Sequence, residues 1–302
     1  MKPRQQIYGP GRFFTGLLVV GSLMLSACEQ HDGSADKPLV FTTIPYTHSE
    51  TFAADFNEFV DVLAQKSNLH IQPFIAENHV DAVLAFDEEA ADIGLLNPLS
   101  ALVARDYYQV NLALQIVRPG NAQEYRSMFI IRKDAAVREL KDVPADRIGF
   151  VSMFSTSGYL LPRLILRQRG IPVGQARFFE SHRNVVQAVY DGDIDLGATY
   201  YIDPAANGSV ADARHEILNQ HPDAVERIEI LETSDPIPND PIVFRKDLPM
   251  EQRSALRDAL MSMGNDPAYR DLLRRMLNVE AFAPADTDAF DAIQQTVRES
   301  GL

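Results

Sequence analysis

The sequence predicts an α/β protein of two similar lobes with a cleft between them. Three observations carry this. Short β-rich runs alternate with stretches whose apolar residues recur at helical spacing. The runs Ala91-Asp92-Ile93-Gly94-Leu95 and Ile194-Asp195-Leu196-Gly197-Ala198 echo one another, each following a helical pattern. Between the two units, Met128-Phe129-Ile130-Ile131-Arg132 reads as a strand able to cross from one lobe to the other. Ile228 to Leu231 and Ile242 to Arg245 are placed to return, around the Pro-rich segment 235–241.

Taken in order, Leu39 to Ile44 reads as a buried strand. Thr47-His48-Ser49-Glu50 fits a capping box, and Phe52, Phe56, Phe59, Val60 and Leu63 then mark one helix face. His70 to Ala76 is a second strand, Val80, Val83 and Leu84 a second helix, and Asp92 to Leu96 a third strand. Asn97-Pro98 starts the next helix, with Asn as N-cap and Pro at the first helical position. The second unit repeats the grammar: strand Arg147–Ser152, helix Gly158–Gln168, strand Arg177–Phe179, helix Arg183–Tyr190 and strand Asp195–Tyr200. The C-terminal part is helical, with Leu256, Leu260 and Met263 on one face, then Tyr269, Leu272, Leu273 and Met276. In open α/β sheets, a ligand sits off the carboxyl ends of the strands.

The N-terminus addresses the chain. Lys2, Arg4 and Arg12 form a basic start, and Phe13 to Leu25 is an apolar stretch too short for a permanent span, which needs roughly 20 residues. It closes on Leu25-Ser26-Ala27-Cys28, the pattern of a lipobox. Residues 1–28 are therefore expected to be a lipoprotein signal ending at a lipidated Cys28, with 29–37 a flexible tether. The alternative is an ordinary secretory signal. Glu29 stands where an inner-membrane retention aspartate would lie, which favours the outer membrane of a Gram-negative host.

Composition bounds the rest. Cys28 is the one cysteine of the chain, so the mature body has no disulfide and relies on its core. After Cys28 stand 25 basic residues against 42 acidic ones, a balance of −17. Such a body offers no basic patch for nucleic acid. An anion site here must be local and built from dipoles. The 7 histidines are scattered without metal-ligand spacing, and neither a metal nor a cofactor is expected.

The most informative stretch is Ser152-Met153-Phe154-Ser155-Thr156-Ser157-Gly158-Tyr159-Leu160-Leu161-Pro162, between a predicted strand and a predicted helix. Three hydroxyl residues and a glycine at a helix start can present O–H and N–H donors to one anion without formal charge. A plain N-cap with extra serines is the bland reading.

This stretch with Phe178-Phe179-Glu180-Ser181-His182-Arg183-Asn184 and Gly192-Asp193-Ile194-Asp195-Leu196-Gly197-Ala198 resembles the phosphate, phosphite and phosphonate substrate-binding family of ABC importers. Ala91-Asp92-Ile93-Gly94 through Asn97-Pro98, Tyr125-Arg126-Ser127, Ile237-Pro238-Asn239-Asp240 and Phe244-Arg245 extend the resemblance over nearly the whole mature chain. It implies the type II periplasmic-binding-protein fold. It also implies that Ser155, Thr156 and Ser157 hold the phosphonyl oxygens, with His182 donating a further hydrogen bond. Tyr46 and Asn97 would close from the first lobe, although a tyrosine packed at a lobe surface and a simple N-cap explain them as well. Members that hold aminoalkylphosphonates tend to carry a tyrosine where Ala101 stands here. Asp203 and Asp235 lie near positions that hold the amine, but each precedes proline, where a turn accounts for it.

The resemblance thus implies a monomeric solute-binding lipoprotein, periplasmic and held at the membrane by lipid alone. It would capture a phosphorus oxyanion by hinge closure for an ABC permease and ATPase. Lobe one is expected at 38–126 plus 241–302, and lobe two at 127–240. Three alternatives stay open: a ligand sensor docked to a membrane signalling protein, a related two-lobe protein that binds an organic ligand, and a hydrolase using Ser155 with His182. No Gly-x-Ser-x-Gly, His-Glu-x-x-His or phosphate-loop motif supports an enzyme.

Overall fold

In a computed structural model of the chain, residues 31–45, 51–87, 89–204 and 207–300 are described. The signal segment, Cys28, Tyr46 and the capping box Thr47 to Glu50 lie outside them. In chain order the elements are β1 (Leu39–Thr43), α1 (Phe52–Ser67), β2 (Ile71–Ile75), α2 (His79–Leu84), β3 (Ile93–Leu95), α3 (Pro98–Tyr108) and β4 (Asn111–Val117). Then come β5 (Glu124–Arg132), β6 (Ile148–Phe150), α4 (Leu161–Gln168), β7 (Arg177–Phe178), α5 (His182–Asp191) and β8 (Leu196–Tyr201). After these follow α6 (Ala224–Arg227), β9 (Ile228–Thr233), β10 (Ile237–Pro238), β11 (Pro241–Phe244), α7 (Met250–Asn265), α8 (Arg270–Leu277), β12 (Ala281–Pro284) and α9 (Thr287–Ser300).

Two six-stranded sheets result. The first runs β12-β4-β11-β3-β1-β2, and the second β10-β5-β8-β6-β7 with β9 also on β5. Each has a parallel core, β2-β1-β3 in one and β7-β6-β8 in the other, and helices on both faces. This is the α/β architecture of the type II periplasmic-binding-protein fold. In the first sheet Phe41 of β1 meets Phe56 and Phe59 of α1 edge-on, ring centroids 5.5 and 5.7 Å apart. On β5, alternate side chains serve opposite faces: Met128 and Ile130 pack with Val185 and Val189 of α5, while Phe129 and Ile131 pack with Phe150 and Leu166.

The two echoed runs are structural equivalents. Ile93-Gly94 pairs in parallel with β1, and Leu196-Gly197 with β6. A Cβ on Gly94 would stand 2.9 Å from Phe86, and one on Gly197 2.7 Å from Val189, so each glycine lets a helix close on its strand. The preceding aspartates each meet an arginine. Asp92 is buried, accepting from Val40 N, His31 Nδ1 and Arg245 Nε at 2.7, 2.8 and 2.5 Å. Asp195 is part-exposed and accepts from Arg147 at 2.8 Å.

Three expectations are corrected. Met128–Arg132 and Ile228–Leu231 do not cross between sheets; β5 and β9 pair antiparallel inside the second sheet. The crossings are the tight turn between β4 and β5 and the Asn239-Asp240 link between β10 and β11. Gly120 and Asn121, both at positive φ (82° and 61°), allow the first. From His31 to Lys37, the expected tether is docked: Asp32 N and Gly33 N donate to Lys37 O, His70 N to Gly33 O, and Gln252 Nε2 to Asp32 O.

Asn239, fully buried, ties the two crossings side by side. Its N–H donates to Gln123 O, and its amide Nδ2 to Ile116 O and Ala122 O at 3.2 and 2.9 Å. Helix α9 lies against both sheets' elements, with Phe290 and Ile293 packed on Leu102 of α3 and Ile237 of β10.

The Asp92 and Asp195 pairs predict unequal costs. Asp92→Ala removes a buried carboxylate and strands the largely enclosed Arg245, and is expected to cost about 3–5 kcal/mol in urea unfolding. Asp195→Ala, beside a part-exposed arginine, should cost no more than about 1 kcal/mol.

Candidate functional site

The loop after β6 is built by a conflict over one carbonyl. Pro162 has no N–H to give Gly158 O, and Val151 N–H takes that carbonyl instead at 3.1 Å. The first turn therefore opens into a π-helical turn, Thr156–Leu160, in which Leu160 N bonds Ser155 O and Leu161 N bonds Thr156 O. The regular helix expected from Gly158 begins only at Leu161. Ser155 is the N-cap, its Oγ accepting from Gly158 N at 3.0 Å. Gly158 is required by contact: a Cβ there would stand 2.4 Å from Val151 and 2.8 Å from Ser155 Oγ.

The first lobe reaches this loop directly. Asn97 caps α3, its Oδ1 accepting from Ser100 N at 2.8 Å, and its Nδ2 donates to Phe154 O at 2.9 Å. Leu99 N donates to Thr156 Oγ1 at 3.1 Å. His79 of α2 stands with its ring 5.8 Å from Phe154 and Nδ1 3.2 Å from Ser100 Oγ. The wall of the second lobe is β5 and β8. Ser127 Oγ donates to Ser157 O at 2.6 Å, and the Tyr125 hydroxyl lies in hydrogen-bond reach of Ser157 and Thr156. His182, half-buried at the start of α5, has Nδ1 2.7 Å from Thr199 Oγ1 and its ring 4.8 Å from Tyr200.

Electrostatics favour neutral donors here. Burial lowers His182 and His79 to about 4, so both imidazoles are neutral at pH 7. Burial, then the charge of Asp240, raises Tyr125 above the ordinary phenol value, against the pull of Arg118. Asp240 is itself raised to about 6 by burial, partly offset by Arg118 at 3.7 Å.

Of the residues singled out from sequence, Ser155, Thr156, Ser157 and Asn97 meet at one place, and His182 at the start of α5 packs on Thr199 and Tyr200 of β8. Asp203 does not join them: it is exposed, accepting from Tyr201 OH at 3.1 Å, and no described contact links it to the loop. Asp235 is exposed too. Tyr125, Ser127, Thr199, His79 and the Arg118–Asp240 pair were missed. Tyr125 and Ser127 stood in a quoted motif but lacked a spacing that marks chemistry. Among the described residues, no three His, Cys, Asp or Glu side chains are placed to hold a metal, and no helix is long and apolar enough to cross a membrane.

The profile of the family described as ABC transporter, phosphonate, periplasmic substrate-binding protein matches residues 41–290. The chain belongs to this family. The phosphonates-binding periplasmic protein of Escherichia coli K12 is 23% identical over 267 residues, 87% of this chain and 76% of that one. The Prochlorococcus marinus MIT 9301 protein solved with methylphosphonate superposes with a TM-score of 0.68 at 21% identity, covering 87% of this chain and 98% of that one. A Xanthomonas citri protein solved with ATP bound superposes with a TM-score of 0.74 at 18% identity, covering 87% and 98%. Family members are substrate-binding components of transporters, and the family is periplasmic.

Two outcomes are expected. Gly158→Ala should displace Val151 or the Ser155 cap and lower the thermal midpoint by several degrees, about 1–3 kcal/mol of overpacking. Because the folded pKa of His182 lies below the unfolded value, its contribution is complete above about 6.5 and lost as pH falls toward 4. His79 acts in the same direction and Asp240 in the opposite one. His182→Gln should therefore make stability depend less steeply on pH between about 6.5 and 4, as read by urea midpoints.

Proposed function

We propose that this family member captures a phosphorus oxyanion on the Ser155-Thr156-Ser157-Gly158 loop and passes it to an ABC permease and its ATPase. The observation that carries the reading is the loop itself: three buried hydroxyl residues at the head of a helix, with Asn97 and Leu99 of the other lobe bonded onto it. Such a group binds an anion through N–H and O–H dipoles. His182 adds a donor if Thr199 gives its hydroxyl proton to Nδ1, leaving the proton of the neutral ring on Nε2. Tyr46 would approach from the first lobe.

The lobes we assign are 38–126 plus 241–302 and 127–240. Closure brings Asn97 and Leu99 onto Phe154 and Thr156, and ligand favours it by binding the closed form more tightly. Lipid on Cys28 would hold a monomeric body at the periplasmic face of a membrane, the outer one if Glu29 acts as expected.

Calorimetric titration with methylphosphonate, phosphite and phosphate tests this. Binding of at least one is expected, weakened 100-fold or more by Ser155→Ala combined with Ser157→Ala. Binding of none, or unchanged affinity in the double variant, defeats it.

A further inference from the structure

The hydrogen bonds around the loop say which protonation state of an oxyanion it accepts. All five carbonyls from Phe154 to Gly158 already accept a hydrogen bond from the protein. Phe154 O takes Asn97 Nδ2, Ser155 O takes Leu160 N, and Thr156 O takes Leu161 N. Ser157 O takes Ser127 Oγ, and Gly158 O takes Val151 N. The hydroxyls are engaged in the same sense. Ser155 Oγ accepts from Gly158 N, and Thr156 Oγ1 accepts from Leu99 N. Ser155 keeps its own O–H to give, and Thr156 and Ser157 share hydrogen-bond reach with the Tyr125 hydroxyl, itself a further donor. The N–H groups of Thr156 and Ser157 head the turn as donors.

The charged groups of the neighbourhood are engaged elsewhere. Asp240 pairs with Arg118 at 3.7 Å, and Glu216 accepts from Tyr200, which packs on His182. Among the described residues, no carboxylate is hydrogen-bonded to Ser155, Thr156 or Ser157. An oxyanion that still carries a proton on an oxygen held by the loop would therefore turn a donor toward donors.

We infer that the loop is a donor-only cage and selects the fully ionised form of its ligand, a phosphonate or phosphite dianion in preference to its monoanion. The inference rests on the oxyanion reading above and goes beyond it to the ligand's protonation state.

The test uses the ligands' different acidities. The purified protein is titrated with phosphite, methylphosphonate and the more acidic difluoromethylphosphonate from pH 5 to 9. Affinity for total ligand should rise about tenfold per pH unit below each ligand's own second pKa and level off above it. The break points should separate in order of ligand acidity. Protein groups cannot imitate this. Asp240 ionises near 6 and would weaken anion binding as pH rises, and any protein group would move all three curves at one pH. A shared break point, pH-independent affinity, or tighter binding at acid pH overturns the inference while leaving oxyanion binding intact. Failure of all three ligands to bind at any pH removes the oxyanion reading itself, and the inference with it.

Discussion

An anion site in a strongly acidic body cannot draw on a field of surrounding cations, so its donors must be local and aimed. The loop proposed as the site, at Ser155, meets that constraint. Proline at 162 frees the Gly158 carbonyl, Val151 N–H claims it, and the helix opens into a wide turn headed by Ser155, Thr156 and Ser157. The glycine follows from this, since the space its Cβ would fill belongs to Val151 and Ser155. The neighbouring histidine follows as well: burial among Thr199 and Tyr200 keeps it a neutral donor or acceptor.

The same polar logic sets the geometry between the sheets. Both crossings are short, and a single buried amide, Asn239, spans them with three hydrogen bonds. The start of α3, after β3, meets the loop that follows β6. The direct bonds of Asn97 and Leu99 onto the loop belong to that meeting. Residues 31–37 dock on the first sheet's lobe.

Much of this was legible in the residues. Helical spacing marked α1, α7 and α8, and the Asp-x-Gly echo marked β3 and β8 as equivalent strands. The loop stood out because hydroxyl residues and glycine gathered at a strand–helix joint. What was not legible depended on distant pairing. Asn111–Val117 and Ala281–Pro284 carry weak alternation, and only their neighbours make them strands. Residues 31–37 looked like a linker because their composition is small and polar; backbone hydrogen bonds to Lys37 and His70 hold them, and composition does not show those. Tyr125 and Ser127 reach the loop through the register of β5 with β8, and Asp240 through a fold-dependent burial. Asp203 shows the reverse: a motif position that the chain turns outward.

If backbone and hydroxyl dipoles of this one loop hold the anion, amide NMR with methylphosphonate added reads them residue by residue. Large downfield shifts of the Thr156 and Ser157 amide protons, saturating with ligand, are expected. Saturable binding that leaves those two amides unmoved, with the shifts gathered elsewhere, would contradict it.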